Sequence, residues 1–118
     1  MLTMNKVLIA GNLTRDPVMR KTQGGVPVGN FGLALNEQYR TRNGEDREET
    51  CFVEVEVWGR QAESCSQYLS KGRPALVEGR LRTNEWEDRK TGDRRTALRV
   101  RADRVQFLGA PPQSDSAA

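Results

Sequence analysis

The sequence predicts an all-β fold, a five-stranded Greek-key barrel with one short helix between strands 3 and 4. Three observations carry that expectation. Apolar and polar residues alternate along much of the chain, the period of strands with one buried face. Only residues 60–70 carry apolar spacings of three and four, the period of a helix. Turn signals such as Asp16-Pro17, Gly24-Gly25 and Asn43-Gly44 separate the alternating stretches. At 118 residues the chain suits one domain with one core, expected over residues 1–109.

Residues 6–12 form the first expected strand, ending at a Gly-Asn turn signal. Residues 18–22 follow Asp16-Pro17, and Gly24-Gly25 allows a tight reversal. In residues 28–36, Phe31, Leu33 and Leu35 share a face. The other face holds Asn30, Gly32 and Ala34, small enough for a backbone or a ligand to come close. Residues 37–50 read as a long charged loop. Residues 51–58 are a two-faced strand with Val53, Val55 and Val57 toward the core. Phe52, Glu54, Glu56 and Trp58 point the other way, and carboxylates between aromatics are an odd choice for a buried face.

The expected helix spans residues 60–70, with Ala62, Cys65 and Leu69 inward and Gly72 as its C-terminal cap. Residues 75–86 and 94–107 return to strand around a hairpin tip at 87–93. Leu98, Val100 and Ala102 share one face of the last strand, Arg99 and Arg101 the opposite one. Val105 and Phe107 resume packing after a change of register. Residues 110–118 have no apolar content to bury and are expected to be a disordered tail. With one long strand bent or broken, the order is three strands, a helix, then two strands, that of the OB-fold, a small barrel that binds oligonucleotides on one face.

Composition narrows the function. The formal net charge is +3 and the sequence pI about 9.2, a mild preference for a polyanion. Its distribution says more. Residues 37–56 hold seven carboxylates against three cations, whereas residues 71–104 hold eleven cations against six carboxylates. Histidine is absent and the two cysteines, Cys51 and Cys65, have no CxxC spacing, so no metal or other cofactor is expected. With histidine absent no nucleophile–base pairing is evident, which argues against an enzyme. Two reduced thiols and no spanning apolar run fit a cytoplasmic protein with no membrane partner.

Four aromatics stand in strongly charged strands rather than apolar runs: Tyr39, Phe52, Trp58 and Trp86. Arginines flank them at Arg40, Arg42, Arg60, Arg82 and Arg89. Flat rings stack on unpaired bases while nearby cations hold the phosphates between those bases. The plainer alternative for Trp58 is packing over the helix start after Gly59; for Tyr39 and Phe52 it is a partly covered surface position.

Several segments, in order, resemble bacterial single-stranded DNA-binding proteins. They are residues 4–13 (MNKVLIAGNL) with Arg15-Asp16-Pro17, Asn30-Phe31, residues 58–63 (WGRQAE), residues 68–72 (YLSKG) and residues 77–83 (VEGRLRT). The resemblance covers about residues 4–109. It implies a homotetramer of OB-folds wrapped by single-stranded DNA, acting in replication, recombination and repair. It also implies base stacking at Tyr39, Phe52, Trp58 and Trp86, and phosphate contacts at Lys6, Arg20, Arg42, Arg60, Lys71 and Arg82.

The chain departs from the family pattern in places. Tyr39 and Phe52 stand where tryptophan is frequent, Glu54 where a cation is common, and Asn84-Glu85 in place of a basic pair. The family's acidic tip, which recruits replication and repair proteins, is not seen before Ala118; a truncated chain or a missing recruiting function is expected. The rival reading is an OB-fold interaction subunit of a replication or primosome complex, its acidic face at Glu54 and Glu56 meeting a basic partner.

Overall fold

The computed structural model describes residues 1–109, so the expected tail at 110–118 lies outside the described residues. The elements are β1 (Val7–Leu13), β2 (Val18–Lys21), β3 (Pro27–Arg40), β4 (Asp46–Trp58), α1 (Arg60–Tyr68), β5 (Pro74–Glu87) and β6 (Arg94–Phe107). β1 and β2 are halves of one bent barrel strand. Pro17 interrupts it, and the Thr14 amide still reaches the Gly32 carbonyl across the bend, at 2.9 Å. Counted this way, the helix lies between the third and fourth barrel strands.

The strands run β1-β5-β6-β4-β3-β2, and β1 meets β3 again at Asn12 and Leu13, which closes the barrel. β4 and β6 pair in parallel and the other neighbours antiparallel. This is the OB-fold. Its core joins the inward faces of the strands to one face of α1: Phe31 and Leu33 of β3, Val55 and Val57 of β4, Val77 of β5, Val100 of β6, with Ala62 and Cys65 of the helix. Burial pushes the Cys65 thiol up to about 12, so it stays protonated and packs as a small apolar group.

The change of register expected late in the last strand is a bulge. Glu78 faces Arg104 while Gly79 faces Ala102, leaving Asp103 extra. Gln61 of α1 serves the backbone groups the bulge leaves over. Its amide nitrogen donates to the Asp103 carbonyl at 3.0 Å, and its carbonyl accepts from the Val105 amide.

Three expectations need correction. Residues 37–50 are mostly strand. β3 and β4 continue as a ladder out to Arg40 and Asp46, joined by a short turn around Gly44. Gly11-Asn12 is not a turn but mid-strand; a side chain at Gly11 would strike the Ala34 carbonyl where β1 crosses β3. The helix ends at Tyr68, and its cap is extended Leu69 rather than Gly72. Gly72 lies in the following turn, its amide bound to the Leu13 carbonyl at 2.8 Å. Of the two close approaches expected on the small-residue face of β3, a backbone or a ligand, the structure shows the chain itself, at Thr14. A β-carbon on Gly32 would lie 2.5 Å from Thr14 Oγ1.

Candidate nucleic-acid interface

Cross-strand partners point to the same side of a sheet, so the register assigns every side chain to a face. On β4, Phe52, Glu54, Glu56 and Trp58 point away from the core. Parallel pairing sets Glu56 beside Arg101, which puts Arg99 and Arg101 of β6 on that same outer face. Antiparallel pairing then brings in β5, with Arg80 opposite Arg101, Arg82 opposite Arg99 and Trp86 opposite Arg95. One sheet face thus carries three of the four expected stacking rings and a double row of arginines.

The rings differ in how they are held. Phe52 is 72% exposed and Trp86 47%. Trp58 is half-buried. Its indole N–H donates to Glu56 Oε1 at 2.9 Å, and the Arg101 guanidinium carbon lies 4.5 Å from its ring centroid. Trp58 is therefore pinned in orientation and partly screened. Tyr39 is also exposed, but it pairs with Arg47 and falls on the opposite side of the pleat from Phe52 and Trp58. It lines a recess of about 460 Å³ at the end of the β3–β4 hairpin with Arg40, Asp46 and Arg47.

The expected phosphate contacts fall into two groups. Lys6 and Arg20 already hold carboxylates: Lys6 Nζ is 2.6 Å from Glu78 and Arg20 3.3 Å from Glu56. The hydrogen bond it donates to the Glu78 carboxylate raises the Lys6 pKa above its ordinary value and keeps it charged. Arg42, Arg60, Lys71 and Arg82 have no ion pair among the described residues. Arg82 stands on the outer face opposite Arg99, and Arg42 in the β3–β4 turn. Arg60 opens α1 one residue past Gly59. Lys71 is held beside the β1–β2 bend, its amide donating to Asp16 Oδ1 at 2.8 Å.

Sequence reasoning noted that Arg99 and Arg101 share a face but did not place them in the site. Their alternation with Leu98, Val100 and Ala102 was the available signal; the pairing with Arg80 and Arg82 needs the register. Glu54 and Glu56 are not a free acidic surface. Glu54 binds Arg15 at 2.7 Å, and Glu56 binds both Arg20 and, at 3.6 Å, Arg99. Among the described residues no three Cys, Asp or Glu side chains come together as a metal site, and no helix is long and apolar enough to cross a membrane.

A closed five-stranded barrel with a basic, aromatic-bearing outer sheet defines an oligonucleotide-binding barrel. The family model for the single-strand binding protein family matches residues 4–108, and the chain belongs to that family. Single-stranded DNA-binding protein 1 of Chlorobaculum tepidum is 43% identical over 107 residues, covering 91% of this chain and 66% of that protein. The single-stranded DNA-binding protein of Aquifex aeolicus is 42% identical over 108 residues, covering 92% of this chain and 72% of that protein. The chain thus spans about two thirds of the length of such relatives. Among solved structures, a Plasmodium falciparum SSB complex with ssDNA superposes with a TM-score of 0.83 at 26% identity, covering 92% of this chain and 98% of that one.

Proposed function

We propose that this chain binds single-stranded DNA with little sequence preference and protects it during replication, recombination and repair. The observation that carries the reading is the two pairs of directly opposed arginines, Arg80 with Arg101 and Arg82 with Arg99, on the face that also bears Trp86. Like charges directly opposite destabilise a sheet. Arg80 and Arg99 are each relieved by a carboxylate, Asp103 at 3.2 Å and Glu56 at 3.6 Å, whereas Arg82 and Arg101 make no ion pair among the described residues; a polyanion laid along those two offsets the repulsion and releases its own counterions. Trp86 and Phe52 offer open rings for successive bases, Trp58 a pinned one, and Tyr39 a further ring at the end of the neighbouring hairpin. Arg82, Arg42, Arg60 and Lys71 serve the phosphates, and Lys6 does so while sharing with Glu78; Arg20, expected in the same role, stands on the face but is bound to Glu56.

The same reading includes self-association into a tetramer. Support comes from β1, where among the described residues Val7–Gly11 pair on one edge only, with β5, and Leu8 is exposed. An open edge with an apolar residue beside it favours a second copy. Sedimentation tests this part, and a monomer at micromolar concentration removes it. Titration with oligo-dT at several salt concentrations, followed by tryptophan emission, tests the binding. Saturable quenching that weakens steeply with salt is expected, and emission unchanged by dT at low salt refutes it.

A further inference from the structure

The outer face of β4 reads Phe52, Glu54, Glu56, Trp58, so two carboxylates stand between two rings proposed to stack bases. Bare carboxylates there would repel the phosphates between those bases. Neither is bare. Glu54 holds Arg15 at 2.7 Å. Glu56 holds Arg20 at 3.3 Å and Arg99 at 3.6 Å, and accepts the Trp58 indole N–H. The Glu56 side chain is only 14% exposed and that of Arg99 20%, so these groups are largely removed from water. Taking both cations from so enclosed a carboxylate leaves a buried charge uncompensated, which one phosphate contact does not offset.

We propose that Glu54 and Glu56 keep Arg15, Arg20 and Arg99 as their own partners while single-stranded DNA is bound, so three outer-face guanidiniums neutralise carboxylates instead of phosphates. This rests on the single-stranded DNA reading above. The middle of β4 then becomes a nearly neutral stripe that positions Trp58. The phosphate chain is left to the β5 side, where Arg82 makes no ion pair among the described residues. Glu54 and Glu56 thereby set how strongly binding depends on salt.

Oligo-dT titration of the whole chain over a range of salt gives the slope of log affinity against log salt. Each phosphate neutralised on a single strand adds about 0.7 to that slope. Glu54→Gln releases one guanidinium and Glu56→Gln releases two. The slopes are therefore expected to steepen by about 0.7 and about 1.4, with tighter binding at low salt. Glutamine keeps an acceptor for the Trp58 indole, so the ring stays in place. A purely structural role would shift the unfolding midpoint and leave the slope alone. Slopes equal to wild type in both variants overturn the proposal. If Glu56→Gln does not fold, Glu54→Gln decides by itself, since its ion pair is exposed and an unchanged slope overturns the proposal equally. A wild-type chain that does not bind oligo-dT is a different failure, one that removes the single-stranded DNA reading itself.

Discussion

Two long hairpins leave this barrel, and they carry opposite fields on the same kind of backbone. The β3–β4 hairpin extends an unbroken ladder to Arg40 and Asp46; the β5–β6 hairpin does the same out to Glu87 and Arg94. Each turns at a glycine of positive φ, Gly44 and Gly92. Residues 37–50 of the first hold five carboxylates against three arginines, with Glu37 directly opposite Glu49. Residues 80–101 of the second hold eight cations against four carboxylates, with arginine opposite arginine. Backbone pairing alone therefore does not say what a hairpin is for; the charge on each pleat face does. The basic hairpin has the field a phosphate chain needs, and its exposed ring, Trp86, lies on the arginine face.

The largest expected difference follows from the rings. Trp86→Ala removes a stack from the basic hairpin and is expected to cost about 1–3 kcal/mol, or roughly 5- to 150-fold in affinity, for every base composition. Tyr39→Ala removes a ring from the acidic hairpin, on the other side of the pleat, and is expected to cost less. Anisotropy titrations with labelled oligo-dT and oligo-dA compare them. A Tyr39 effect as large as that of Trp86 would mean that DNA crosses to the second hairpin, and the contrast between the two would fail.

The next effect is electrostatic. Arg82 has no carboxylate partner among the described residues, so Arg82→Gln is expected to flatten the salt slope by about 0.7. Arg47, on the acidic hairpin, already holds Glu45 at 3.0 Å, and Arg47→Gln is expected to leave the slope alone. Equal losses from both substitutions would show that the two hairpins share one phosphate path.

How much of this was legible depends on what each residue's placement relies on. The two-faced pleat of β4, the core valines, the tip at 87–93 and the register change at Asp103 follow from local alternation, so the sequence carries them directly. The acidic hairpin does not announce itself. Glutamate and aspartate have low strand propensity, and a charged stretch without a buried face looks like a loop. Its pairing is inherited from the barrel ladder it extends. Gly11 reads as a turn because a glycine beside an asparagine signals one, whereas here its missing side chain admits the Ala34 carbonyl. The partners of Glu54 and Glu56 were out of reach for another reason. Arg15, Arg20 and Arg99 lie 36 to 43 residues away, and only the closed barrel brings them to β4.

The smallest predicted effect probes the acidic hairpin itself. Glu37 and Glu49 face each other across the β3–β4 ladder, and such like-charge pairs cost a sheet roughly 0.2–1 kcal/mol. Glu49→Gln removes the repulsion while keeping size and hydrogen-bonding capacity. It is expected to raise the urea midpoint by a stability gain in that range, with no change in the slope of the transition. Its effect on oligo-dT affinity is expected to be slight, because Glu49 lies on the core-side pleat, away from Phe52 and Trp58. If Glu49→Gln instead tightens binding as much as Glu54→Gln, its carboxylate must face the same phosphates. The acidic hairpin would then be a second, repelling wall of the DNA path rather than a region outside it.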